Sequence, residues 1–97
     1  MTVATFRRPT PAVQPRREQF ELLRRLGCRL REQREFLELT QPELARRAGV
    51  SVGTVSLIER GLTSPSLLVL VRLAEPMDLY AFELMAFAEL DDLETGG

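Results

Sequence analysis

Few of the 97 residues have side chains that make or break covalent bonds, and their arrangement argues against catalysis. There is no histidine, which removes every imidazole base and every His-based triad. The single cysteine, Cys28, cannot pair internally, and without histidine it cannot build a zinc site of the usual Cys/His type. No metal and no cofactor are therefore expected. Glu89, Asp91, Asp92 and Glu94 are neighbouring carboxylates near one end, but they lack both a histidine and a glycine-rich calcium loop, so they read as solubilising rather than catalytic. Cys28 lies about 200° around a helix from Leu26 and Leu30, away from their apolar stripe. Arg24, Arg25 and Arg31 nearby favour a thiolate, so an inert thiol and a redox switch are both open readings. What remains is non-covalent chemistry, hydrogen bonding and charge, and an enzyme is not expected.

All 13 basic residues are arginine. No recognition chemistry demands arginine at every surface position, so this reads mainly as coding bias. Charge is graded along the chain: residues 1–37 hold nine Arg against four Glu, residues 38–75 four against four, and residues 76–97 six acids with no base. Different partners at the two ends, or simply a solvated surface, both fit this gradient. With 44% hydrophobic and 28% charged residues, the chain can build one folded domain. No apolar run approaches the ~20 residues of a membrane span, and the start lacks a signal-peptide pattern, so a cytoplasmic protein is expected.

The elements follow from periodicity and punctuation. Residues 1–17 hold Pro9, Pro11 and Pro15 among four arginines and show no periodicity, which predicts a flexible Arg/Pro-rich arm. From Glu18 to about Leu37, Leu23, Leu26, Leu30 and Leu37 recur at helical spacings, predicting a long first helix. Thr40-Gln41-Pro42-Glu43 is a capping box that opens a short second helix, about 41–48, stopped by Gly49. Ser51 caps a third helix, about 52–60, stopped by Gly61. Ser64-Pro65 predicts a fourth helix starting near Pro65, which Pro76 ends near Ala74. A fifth runs from about Ala81 to Leu90, so the domain spans 18–90 and 91–97 form an acidic tail. The fold class is all-α, with five helices.

Two short helices joined through a glycine turn form a unit that can lay its second helix in the DNA major groove. Leu44, Ala48, Val50, Val55 and Ile58 fall where the pair faces the core, and Ala45 is small where the helices cross. Polar or small residues remain on the outside of the third helix.

The sequence resembles the lambda-repressor and Cro-like helix-turn-helix domains, the XRE family. The resemblance runs without a gap from about Leu26 to Leu84. It is carried by Leu26-Gly27, Arg34, Leu39-Thr40-Gln41, Glu43-Leu44-Ala45, Ala48-Gly49-Val50-Ser51, Val55-Ser56, Ile58-Glu59-Arg60-Gly61 and Ser64-Pro65-Ser66-Leu67. It implies a DNA-binding transcriptional regulator whose second helix begins on a phosphate through Gln41, where open amides favour an anion. It further implies base-facing roles for Val52, Gly53, Ser56 and Leu57, backbone contacts for Thr54, Arg60, Thr63 and Ser64, and an Arg34–Glu59 ion pair between first and third helices.

This sequence departs from the family pattern in three places. Base reading commonly uses Arg, Lys, Gln or Asn forks worth ~1 to 3 kcal/mol each, and the outward face here has none. Readout then rests on thymine-methyl contacts from Val52 and Leu57, on Ser56 and on DNA shape, or the site has drifted from reading DNA. Glu38 replaces the usual glycine before the second helix, and Tyr80 replaces a small polar cap before the fifth.

The arm either lies along DNA or is a solvated leader. Phe82, Leu84, Met85, Phe87 and Leu90 surround too much of the fifth helix for one small core, which predicts a homodimer interface of Phe82, Met85, Phe87 and Leu90. The expected function is thus a sequence-specific double-stranded-DNA-binding regulator, a dimeric repressor. The alternative is an antitoxin-like or adaptor protein whose C-terminal region binds a partner protein.

Overall fold

The computed structural model describes residues 16–86. Most of the arm, Phe87, Leu90 and the acidic tail lie outside the described residues. The chain forms α1 (Arg17–Phe36), α2 (Gln41–Ala48), α3 (Val52–Glu59) and α4 (Leu67–Ala74), then a single 3-10 turn (Glu75–Met77) and α5, residues 81–86. Among the described residues there is no strand, as the all-α, five-helix expectation requires.

The core is built from one stripe of each helix. Leu30 of α1, Leu44 of α2, Val55 and Ile58 of α3, Leu73 of α4, Met77 and Leu84 are all but excluded from solvent. Truncating one such side chain to alanine costs about 2–5 kcal/mol, a large share of a small domain's stability. α1 packs chiefly on α3, and α2 on both α3 and α4. The pair α2 and α3 is therefore clamped from both sides, leaving one side of α3 open.

The same closure ends three helices and the 3-10 turn. At each, a residue with positive φ turns the chain, its amide bonds back three residues and the following amide bonds back five, satisfying two carbonyls left open at a helix end. The turning residues are Glu38 (φ 59°), Gly49 (φ 73°), Gly61 (φ 71°) and Asp78 (φ 59°). The paired bonds at Gly49 are Gly49 N–H to the Arg46 carbonyl, 3.3 Å, and Val50 N–H to that of Ala45, 3.0 Å. An aliphatic residue follows each turn: Leu39, Val50, Leu62 and Leu79. Glycine takes positive φ at no steric cost, and this explains Gly49 and Gly61. Glu38 and Asp78 occupy the same conformation against their intrinsic preference.

One expected boundary is corrected. α4 starts at Leu67 rather than near Pro65, because Ser66 and not Ser64 is its cap: the Ser66 Oγ accepts from the Val69 amide at 3.2 Å. Ser64 and Pro65 remain in the connection after α3. Pro76 acts as expected, since α4 gives way after Ala74 to the tighter turn that contains it. At α5, Tyr80 has no side-chain oxygen in reach of the first-turn amides, but Glu83 performs the reciprocal half of a capping box by accepting from the Tyr80 amide at 2.7 Å.

Candidate nucleic-acid interface

Both ends of the α2–turn–α3 unit are pinned by local chemistry. Thr40 Oγ1 accepts from the Glu43 amide at 3.1 Å, and Glu43 Oε1 accepts from the Thr40 amide at 2.7 Å, completing the capping box at the start of α2. The Thr40 backbone N–H, followed by its side chain, holds the Glu43 carboxyl below the ordinary carboxylate range. Gly49 closes α2, and three residues, Gly49 to Ser51, separate it from α3. Ser51 then caps α3, accepting from the Thr54 amide at 3.0 Å, and its hydroxyl is hydrogen-bonded to that of Thr54 at 2.8 Å.

A buried ion pair fixes the far end of α3. Arg34 Nε donates to Glu59 Oε2 at 2.6 Å and Nη2 to Oε1 at 3.0 Å, while Nη1 donates to the Leu39 carbonyl at 2.7 Å. The Glu59 hydrogen bond raises the Arg34 pKa, against the opposing effect of burial. A planar guanidinium serves this site because it supplies donors in three directions at once. The expected pairing of Arg34 with Glu59 is thus present in the geometry.

Gln41 joins the same cluster, a link the sequence did not disclose. Its Nε2 donates to Glu59 Oε1 at 2.9 Å, and the orientation of the amide is forced, since a carboxylate can only accept. The start of α2 accordingly offers an incoming anion less than its four open positions suggest. Pro42 has no amide hydrogen, the Glu43 amide is taken by Thr40 Oγ1 and that of Thr40 by Glu43 Oε1. The Gln41 backbone N–H and the second hydrogen on its Nε2 are the remaining donors.

The four residues expected to face bases share the open side of α3. Val52 and Leu57 are 42% and 40% exposed, Gly53 is exposed and Ser56 is half-buried, whereas Val55, Ile58 and Glu59 point inward. No arginine stands among them. Around them, Thr54 is half-buried with its hydroxyl engaged by Ser51, and Arg60 is exposed. Arg60 reaches back only to the Ser56 carbonyl, through Nε at 3.4 Å. Thr63 and Ser64, half-buried and exposed, lie in the connection to α4. The arrangement joins a small, mostly apolar open face to hydroxyls, one exposed guanidinium and a helix start.

Of the residues expected at a dimer interface, Phe82 and Met85 lie among the described residues. Phe82 is 65% exposed and stacks on Tyr80 with ring centroids 5.5 Å apart, and Met85 is also exposed, whereas Leu84 between them fills the monomer core. Phe87 and Leu90 lie outside the described residues. Cys28 is exposed, as its position on α1 requires.

A short α2, a three-residue turn and a capped α3 with one open side define a helix-turn-helix protein, a class that includes DNA-binding regulators. The helix-turn-helix domain family matches residues 25–82, and the chain belongs to that family. A helix-turn-helix-type transcriptional regulator of Methanothermobacter thermautotrophicus is 46% identical over 48 residues, which cover 50% of this chain and 70% of that one. Among solved structures, the restriction-modification controller protein C.AhdI of Aeromonas hydrophila is 37% identical with a TM-score of 0.62, over 64% of this chain and 94% of that one. The clp gene regulator ClgR of Corynebacterium glutamicum is 27% identical with a TM-score of 0.70, over 77% of this chain and 80% of that one. These likenesses agree with the lambda-repressor and Cro-like resemblance.

Proposed function

We propose that this chain is a sequence-specific, double-stranded-DNA-binding transcriptional regulator that acts as a dimeric repressor, by occluding the DNA it covers. The observation that carries the proposal is the open side of α3. Val52, Gly53, Ser56 and Leu57 are left uncovered on a helix that a cap holds at one end and a buried ion pair at the other. In this reading Gln41, Thr54, Arg60, Thr63 and Ser64 meet phosphates and set the register, and the α3 face selects bases through apolar and hydroxyl contacts and DNA shape. Regulators among its relatives support the gene-control reading.

Dimerisation follows from the same mechanism, since two half-sites about 34 Å apart call for two copies related by a two-fold axis. The exposed Phe82, its stacking partner Tyr80 and the exposed Met85 supply an apolar patch suited to such an interface. Binding to duplex DNA is measured by fluorescence anisotropy over a salt series, with log K falling by about 0.9 per phosphate neutralised against log salt concentration. Binding that is absent, or indifferent to salt, contradicts the proposal. Phe82→Glu should shift sedimentation from dimer to monomer, and an unchanged dimer removes this patch from the interface.

A further inference from the structure

The middle of α1 contains a glycine that nothing in α1 itself requires. A Cβ built on Gly27 lies 2.3 Å from the Ile58 carbonyl oxygen, 2.6 Å from that of Glu59 and 2.9 Å from the Glu59 carbonyl carbon. All three are backbone atoms, so no flexible side chain can yield. One turn earlier, a Cβ on Gly61 would meet the Arg24 Cα at 2.9 Å. One turn beyond Leu30 on the same stripe of α1, Arg34 holds the Glu59 side chain. The carboxyl end of α3 thus rests against α1 at three successive points, two of them backbone against backbone.

We infer that Gly27 is a positioning residue for DNA reading: it sets how deeply the carboxyl end of α3 seats on α1, and so the tilt of the reading face. This rests on the DNA-reading role proposed above. Restoring an ordinary 3.4 Å contact from 2.3 Å requires the two helices to part by about 1 Å. Recognition constellations tolerate displacements of only about 0.5 Å. The amino end of α3 is anchored separately, by the three-residue turn that joins it to α2 and by the fully buried Val55, so a methyl at position 27 pivots the helix about that end. Ser56 and Leu57, near the lifted end, move most, whereas the Gln41 backbone stays with α2 while its side-chain bond to Glu59 lengthens. Gly27→Ala therefore lowers discrimination between sequences by more than it lowers general affinity for duplex DNA.

The test uses the full chain carrying Gly27→Ala, with Cys28→Ala on the exposed side of the same helix as control. Amide chemical shifts and affinities for the preferred duplex and for random-sequence duplex are measured. The expected result is shift changes across residues 55–61 and a roughly tenfold loss in the specific-to-random affinity ratio, with a smaller loss in random-duplex affinity and the control unchanged. Shift changes confined to the neighbours of residue 27 on α1, or an unaltered ratio, overturn the inference. So does a variant that stays unfolded with trimethylamine N-oxide present, because Gly27 then serves the fold as a whole. If the unsubstituted chain prefers no duplex, the DNA-reading proposal fails, while the amide shifts still decide whether Gly27 seats α3.

Discussion

The guanidinium of Arg34 grips the carboxylate of Glu59 through two hydrogen bonds, at 2.6 and 3.0 Å, across 25 residues of sequence. Both residues are buried, and the pair joins the end of α1 to the end of α3. Removing one partner leaves the other charged without compensation, which costs about 3–5 kcal/mol. Arg34→Met and Glu59→Leu should each cost that much in urea unfolding. The double variant should cost clearly less than the two together, though not nothing, because Gln41 and the Leu39 carbonyl also lose partners. Additivity within about 0.5 kcal/mol contradicts a coupled pair.

The capping box at α2 makes stability depend on pH. The folded state holds the Glu43 carboxyl below its ordinary value through the Thr40 amide. A depressed carboxylate pKa contributes stability that is complete above the unfolded value and is lost as pH falls through the folded one. The difference in urea midpoint between the unsubstituted chain and Glu43→Gln should therefore be largest near neutrality and shrink through the acid carboxylate range. A difference that grows on acidification contradicts this assignment.

Glu38 turns the chain between α1 and α2 with φ 59°, a conformation that disfavours a side chain by roughly 1 kcal/mol. Glycine removes that strain but gains freedom in the unfolded chain, so the two effects partly cancel. Glu38→Gly should leave stability unchanged or raise it by up to about 1 kcal/mol, and Asp78→Gly should follow the same pattern. Thermal unfolding measures this, and a marked loss in both variants excludes backbone strain at these turns.

The α2–α3 unit was legible because its boundaries are written in residue types with one main use each: Thr40 with Glu43, Gly49, Ser51 and Gly61. The turn at Asp78 was not, since an acidic residue does not announce positive φ, and at Glu38 the signal was the glycine usual there in the family. Both share with Gly49-Val50 and Gly61-Leu62 the aliphatic residue that follows. Ser64 and Ser66 are equally good caps by type, and only packing of α4 chose between them. On α5 the expected interface named Phe82 and Met85, which are exposed, and left out Leu84, which fills the core. The bond from Gln41 to Glu59 is a tertiary fact with no local trace, and the close approach at Gly27 is marked only by a glycine inside a helix, which does not name what it meets.

Selection of bound fragments from random duplex DNA, repeated with Leu57→Ala and Gln41→Ala, tests the central claim most directly. The account predicts that one sequence emerges, with half-sites about one helical turn apart. Leu57→Ala should change the base preferred at its position, and Gln41→Ala should weaken all duplexes alike while keeping the preference. Selection without an enriched sequence, or identical behaviour of the two variants, would contradict the reading of α3 as the helix that recognises DNA.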